Sequence, residues 1–150
     1  MRIEASIEIA APPDQVWPTA TDPHLAMRWN DNIASVSSIS PGPVAEGTRW
    51  QQVVRVMGTE QVMDAEVVEC VPPLRGVVRM TGFGQPIVTT TVEPTDGGSL
   101  LSQVMEFTIP NGLSGVALKL GAPLIKDQLR EALRRQKQHI EEVAPAGDQI

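Results

Sequence analysis

The sequence from Pro110 to Val143 reads PNGLSGVALKLGAPLIKDQLREALRRQKQHIEEV, and apolar residues recur in it every three, four or seven positions. This spacing places apolar side chains on one face of a helix, which we expect to begin near Ala122–Pro123. The residues of this face are Leu118, Ala122, Ile125, Leu129, Leu133, Ile140 and Val143. A long amphipathic helix has to bury such a face against another element.

The chain before Ile109 predicts mainly strands. Apolar and polar residues alternate from Arg2 to Ile9, as in a half-buried strand. Two short helices follow, one around Trp17 and one over His24–Trp29, and six further strands are predicted up to Ile109. The segment Thr95–Gly98 reads TDGG, a strong hairpin signal, and the regular hairpin spacing predicts an antiparallel sheet. The fold class is therefore α+β, with a curved sheet of six to seven strands wrapped around the last helix.

Size and charge limit the function classes. A chain of 150 residues fits one domain, residues 1–150, that buries roughly 70% of its unfolded surface. Residues 144–150 are expected to form a flexible tail. The net charge of −6 argues against nucleic acid as a partner, because phosphate binding needs clustered cations.

Cysteine and histidine are scarce. The one cysteine excludes an internal disulfide, and two histidines with it do not supply a metal site. We therefore expect no metal and no cofactor. Neither a signal segment nor the ~18–20 apolar residues of a membrane span is present, which predicts a cytoplasmic protein without membrane insertion.

This order of elements, together with Val16-Trp17, Thr21-Asp22-Pro23, Arg28-Trp29, Gly47-Thr48 and Val67–Pro73, resembles the START/Bet v 1-like helix-grip superfamily (SRPBCC). Within it, the chain is most similar to the polyketide cyclase/dehydrase and lipid-transport group. The resemblance implies a large cavity between sheet and C-terminal helix for lipids, sterols, polyketides or hormones. It also implies that the short helices plug one end of the cavity, and that only some members are enzymes.

The chain departs from the superfamily at two points. Pro18 falls inside the first short helix, which should be short or kinked. Tyrosine is absent, which excludes any mechanism that needs a phenol in the pocket.

The apolar parity of each strand predicts which side chains face the cavity. On the strands, the predicted ligand-binding residues are Trp50, Gln52, Val54, Met63, Val67, Met80, Val88, Thr90, Gln103, Met105 and Phe107. The entry of the long helix adds Val116, Leu120 and Leu124, and Trp29 is included because the resemblance implies that its short helix plugs the cavity. A mostly apolar set with a few neutral polar groups is typical of a small-molecule site. The alternative interpretation of each residue is ordinary core packing. Which way Asp64 and Glu66 face stays open, because Val62 and Val68 share their side of the strand.

No clear catalytic constellation is present, so the catalytic residues stay unknown. His24, beside Pro23, and Asp31, after Trp29-Asn30, are candidate proton-transfer groups at the cavity mouth. Capping or surface roles are the alternative for both. Cys70 has no histidine near it in sequence and is interpreted as a small buried hydrophobe.

Three functions remain. The leading hypothesis is binding of a small hydrophobic ligand, lipid-like or polyketide-like, by a monomer or homodimer. The second is a cyclase or dehydratase that uses the same cavity mainly to orient a reactive chain. The third is a regulatory module that binds a protein partner through the basic Arg130–Lys137 face.

Overall fold

The computed structural model describes residues 1–56 and 58–148, and the side chains of residues 1–56 and 58–143. Its elements are β1 (Arg2–Ile9), α1 (Pro13–Thr21), a 3-10 turn (Pro23–Leu25), α2 (Ala26–Trp29), β2 (Ile33–Ser37), β3 (Arg49–Val56), β4 (Thr59–Val71), β5 (Arg75–Thr81), β6 (Ile87–Thr95), β7 (Gly98–Glu106) and α3 (Leu113–Asp148). This order confirms the α+β prediction. The side chains of the predicted tail, residues 144–150, lie outside the described part.

The seven strands form one antiparallel sheet in the order β1-β7-β6-β5-β4-β3-β2, so the first strand lies beside the last. The predicted hairpin is confirmed, because Thr95 pairs with Gly98 across a two-residue loop. Gly98 has φ +149°, and a Cβ there would collide with the carbonyl oxygen of Ile9. Glycine at this position therefore lets the β6–β7 hairpin close against the end of β1.

The long helix begins at Leu113, so the predicted start near Ala122–Pro123 was wrong. Pro123 lies inside α3 although it lacks the N–H of an intrahelical bond. The apolar face continues across this proline from Leu118, which is 1% exposed, to Ile125. The burial of that apolar face outweighs the unfavourable effect of a proline inside the helix. No helix in the described part of the chain combines the length and apolar character needed to cross a membrane.

The buried apolar residues form two clusters. The larger cluster joins β1, β7, α1 and α3 through Ile9, Leu101, Val16 and Leu133. The smaller cluster lies on β3 and β4 and consists of Trp50, Ala65 and Val67. The curled sheet thus meets α3 tightly at one end, and its other strands line a space in front of the helix.

The convex face of β4 carries the two carboxylates whose orientation was open. Asp64 is exposed and accepts a hydrogen bond from Gln51 at 3.2 Å. Glu66 forms ion pairs with Arg49 at 3.4 Å and Arg79 at 3.8 Å. Both therefore face away from the space in front of α3.

Candidate functional site

A cavity of about 280 Å³ lies between the concave face of the sheet and α3, with α1 and α2 at one end. Small-molecule pockets usually measure roughly 300–1,000 Å³, so this cavity suits a compact molecule. Both apolar clusters contribute to the cavity wall. The larger cluster supplies Trp17 and Leu129, and the smaller cluster supplies Trp50 and Val67.

The structure brings most of the sequence-predicted set to this wall. The lining members are Trp29, Trp50, Gln52, Val54, Met63, Val67, Met80, Val88, Thr90, Gln103, Met105, Phe107 and Leu124. Val116 and Leu120 lie elsewhere, because they are 54% and 74% exposed on α3. They point away from the Leu118–Ile125 side of the helix, whereas Leu124 is half exposed at the cavity edge. That any of these residues binds a ligand stays a prediction.

Several lining residues were missed, among them Trp17 and Gln136. Trp17 packs over β5, where a Cβ on Gly76 would lie 3.0 Å from Cη2 of the indole. Gln136 is 3% exposed and lines the cavity from α3. It follows Leu133 by three residues and precedes Ile140 by four, so the helical spacing alone placed it on the buried face.

The polar side chains on the sheet side of the cavity are bonded to one another. Trp50 Nε1 donates to Gln52 Oε1 at 2.9 Å, and Gln52 Nε2 lies 3.9 Å from the sulfur of Met80. Gln103 Nε2 donates to Thr90 Oγ1 at 3.2 Å. These contacts satisfy buried groups that would otherwise destabilise the fold.

At the end of the cavity where α2 contacts α3, buried polar atoms lack such partners. Among the described residues, the buried side-chain nitrogen and oxygen atoms without a hydrogen-bond partner are Trp29 Nε1 and Gln136 Oε1. The Trp29 side chain packs edge-on against His139, with ring centroids 5.3 Å apart. Residues 136 and 139 are neighbours on one helix face, and both Trp29 on α2 and Gln136 on α3 line the cavity.

The two candidate proton-transfer residues do not line the cavity. The side chain of His24 is 66% exposed, and its Nδ1 lies 2.9 Å from Asp22 Oδ1. Asp22 also caps the 3-10 turn by accepting the backbone N–H of His24, and it does line the cavity. Asp31 is 77% exposed. Asp31 does not line the cavity, because its carboxylate is turned to α3.

Asp31 and α3 form a charged network. Arg135 donates from both terminal nitrogens to the Asp31 oxygens at 2.9 Å, and its Nε donates to Glu131 at 3.2 Å. The hydrogen bond and charge of Arg135 lower the pKa of Asp31. The pKa of Glu131 falls to about 2, chiefly through its hydrogen bond with Arg134. These carboxylates are held ionised by arginine and are poor proton donors near neutral pH.

Cys70 is half-buried in the cavity wall, and its sulfur lies 3.9 Å from the carbonyl oxygen of Val44. Burial, and secondarily the charge of Glu46, raises the pKa of the thiol. A raised pKa favours the unreactive protonated form. Within the described residues, no group of three or more histidine, cysteine, aspartate or glutamate side chains is placed to hold a metal ion.

Comparison with known proteins gives a family match over residues 1–141, to the model described as polyketide cyclase/dehydrase and lipid transport. No curated protein is similar enough in sequence to count as a match.

Solved structures share the fold at low identity. The Zhui aromatase/cyclase from Streptomyces sp. R1128 has a TM-score of 0.78 at 16% identity, over 94% of this chain and 93% of that one. TTHA0849 from Thermus thermophilus has a TM-score of 0.72 at 21% identity, over 93% and 97%. A protein from Rhodobacter sphaeroides has a TM-score of 0.69 at 21% identity, over 95% and 93%.

Proposed function

The chain belongs to the polyketide cyclase/dehydrase and lipid transport family, and from that premise we propose that it binds a compact hydrophobic molecule between the sheet and α3. The observation that carries the proposal is the cavity itself. It holds about 280 Å³ within a wall that is mostly apolar. An ordinary core fills such space, because protein interiors pack as densely as organic crystals.

The wall also indicates the class of ligand. Met63, Met80 and Met105 contribute three flexible thioether side chains to it, and methionine adapts to irregular apolar shapes. On the sheet side, Gln52, Thr90 and Gln103 are neutral, and each has a hydrogen-bond partner within the chain. Arg55, the charged lining residue of β3, donates to the Asp31 carbonyl oxygen. A lipid-like or polyketide-like molecule with few polar groups fits this surface better than a charged metabolite.

The experiment is native mass spectrometry of freshly purified protein, followed by denaturation and identification of any released small molecule. In parallel, the empty protein is titrated with the fluorescent dye 1-anilinonaphthalene-8-sulfonate. We expect a stoichiometric apolar compound, or saturable dye binding that Val88→Phe abolishes. A protein that arrives empty and gives no saturable dye signal would overturn the proposal.

A second candidate, a cyclase or dehydratase, draws on the Asp22–His24 pair. Asp22 lines the cavity and its carboxylate lies 2.9 Å from the imidazole nitrogen. A carboxylate that orients a histidine is a common general-base arrangement, and Zhui, of similar fold, is described as an aromatase/cyclase. The cavity would hold the chain in a reactive conformation. Turnover lost in His24→Ala with dye binding retained would favour this activity.

The protein-interaction module has less support. Arg134 and Arg135 bind Glu131 and Asp31, and Lys137 binds Glu141 at 2.7 Å. Their charges are thus largely neutralised within the chain. Retention of every partner after charge reversal at Arg134 and Arg135 would reject the module.

A further inference from the structure

We propose that Trp29 and Gln136 form a polar anchor that binds a neutral hydroxyl group at the helical end of an otherwise hydrophobic ligand. The inference rests on the proposed ligand-binding function and specifies the ligand's chemistry. Trp29 is 8% exposed and Gln136 is 3% exposed, and both line the cavity. Their indole N–H and amide oxygen are the buried side-chain atoms of the described residues that lack a partner.

The two atoms are complementary to a hydroxyl. An indole N–H only donates, and an amide oxygen only accepts. A hydroxyl accepts from the first and donates to the second, so one group of the ligand satisfies both. On the sheet side, by contrast, the amide of Gln52 and that of Gln103 already have partners in the chain. The position of the unpaired atoms therefore assigns the ligand's polar end to the α2–α3 contact.

A carboxylate fits this end poorly. The two cations that flank Gln136 on α3 are paired, Arg135 with Asp31 and Glu131, and Lys137 with Glu141. Arg55 lines the cavity, but it is exposed and donates to the Asp31 carbonyl oxygen at 3.2 Å. A buried anion needs a paired cation, and the Gln136 oxygen would repel it.

The anchor is tested with three probes of nearly equal shape: 2-naphthol, 2-methoxynaphthalene and 2-acetylnaphthalene. Their dissociation constants are measured at pH 7 by fluorescence titration. We expect wild-type protein to bind 2-naphthol about tenfold tighter than the methyl ether, the difference that a hydrogen bond of ~1.4 kcal/mol makes. In Gln136→Met the two constants become about equal, with binding of the ether retained.

A stability measurement separates binding from a structural role. Because no group of the described chain donates a hydrogen bond to Gln136 Oε1, Gln136→Met should keep or raise the thermal midpoint. Gln138→Met changes an exposed position of the same helix and should leave both the midpoint and the naphthol preference unchanged. Trp29→Phe should also remove the preference, although it shortens a packed side chain.

Each other outcome overturns the anchor. Equal wild-type constants for the naphthol and the ether would mean that no hydroxyl is recognised. If 2-acetylnaphthalene bound more tightly than 2-naphthol, the site would present two hydrogen-bond donors, as it would with the Gln136 amide rotated so that its nitrogen replaced its oxygen. A lowered midpoint in Gln136→Met with the preference intact would make the residue structural. Dye binding without binding of any naphthalene would reject the anchor alone, whereas failure of every probe would reject the ligand-binding function as well.

Discussion

Arg135 donates two hydrogen bonds of 2.9 Å to the two carboxylate oxygens of Asp31, and this pair ties the loop after α2 to α3. The neighbouring Asn30 lines the cavity. The Asp31–Arg135 pair, called the clasp below, therefore connects the short helices at the end of the cavity to α3, which covers the concave face of the sheet.

The first prediction concerns this clasp. Asp31→Ala should lower the free energy of unfolding only slightly, because the carboxylate is largely exposed and solvent screens its charge. The rate at which bound dye dissociates should rise several-fold, since the plug is held less firmly. Stopped-flow dilution measures that rate. Glu142→Ala, at an exposed position of α3, is the control, and an unchanged rate in Asp31→Ala would show that the clasp does not limit exchange.

The second prediction concerns acid. Because arginine lowers the pKa of Glu131 from 4.5 to about 2, folding favours its ionised form. That contribution is complete above pH 4.5 and is lost as the pH falls towards 2. Urea unfolding at several pH values should show a steeper loss of stability over this window in wild type than in Glu131→Gln. Parallel curves would contradict the pairing.

The fold was predictable because its signals are periodic. Alternation in β1 and the helical spacing of Leu129, Leu133 and Ile140 depend only on which side chains share a face. The start of α3 could not be predicted in the same way. Pro123 disfavours a helix that continues across it, but burial of a longer apolar face outweighs this local effect.

The cavity wall on the sheet was predictable for the same reason, since one assignment of parity orients a whole strand. The helical end was harder. α1 and the 3-10 turn are too short to show a period, so neither the inward position of Trp17 nor the outward one of His24 follows from spacing. The pairing of Asp31 with Arg135 joins residues 104 positions apart and depends on tertiary contact.

The third prediction tests the cavity by filling it. Val88 lines the cavity from β6, so Val88→Phe places a larger ring in open space. We expect dye affinity to fall at least about tenfold, with stability changed by less than about 1 kcal/mol, since no dense packing is disturbed. Val62→Phe, on the other face of the sheet at a position that is 57% exposed, should change neither quantity. Equal dye binding by all three proteins would place the dye elsewhere.

The fourth prediction concerns the contact between Gly76 and Trp17. A Cβ at position 76 would lie 3.0 Å from the indole, and the ring is 7% exposed. Gly76→Ala should lower the free energy of unfolding by about 1–3 kcal/mol, as overpacking does. Gly97→Ala is the matched control, because no atom lies within 4 Å of its Cβ position. A neutral Gly76→Ala would mean that Trp17 moves freely.

The fifth prediction concerns the hydrogen bond between Trp50 and Gln52, which are 9% and 6% exposed. Gln52→Leu leaves the indole N–H of Trp50 buried without a partner, and this should destabilise the fold by about 1–3 kcal/mol. Trp50→Phe removes the donor, so adding Gln52→Leu to it should cost less than Gln52→Leu costs alone. Urea unfolding of the four proteins gives the coupling energy. Strictly additive losses would mean that the 2.9 Å contact contributes nothing, and that packing alone holds Trp50 in the wall.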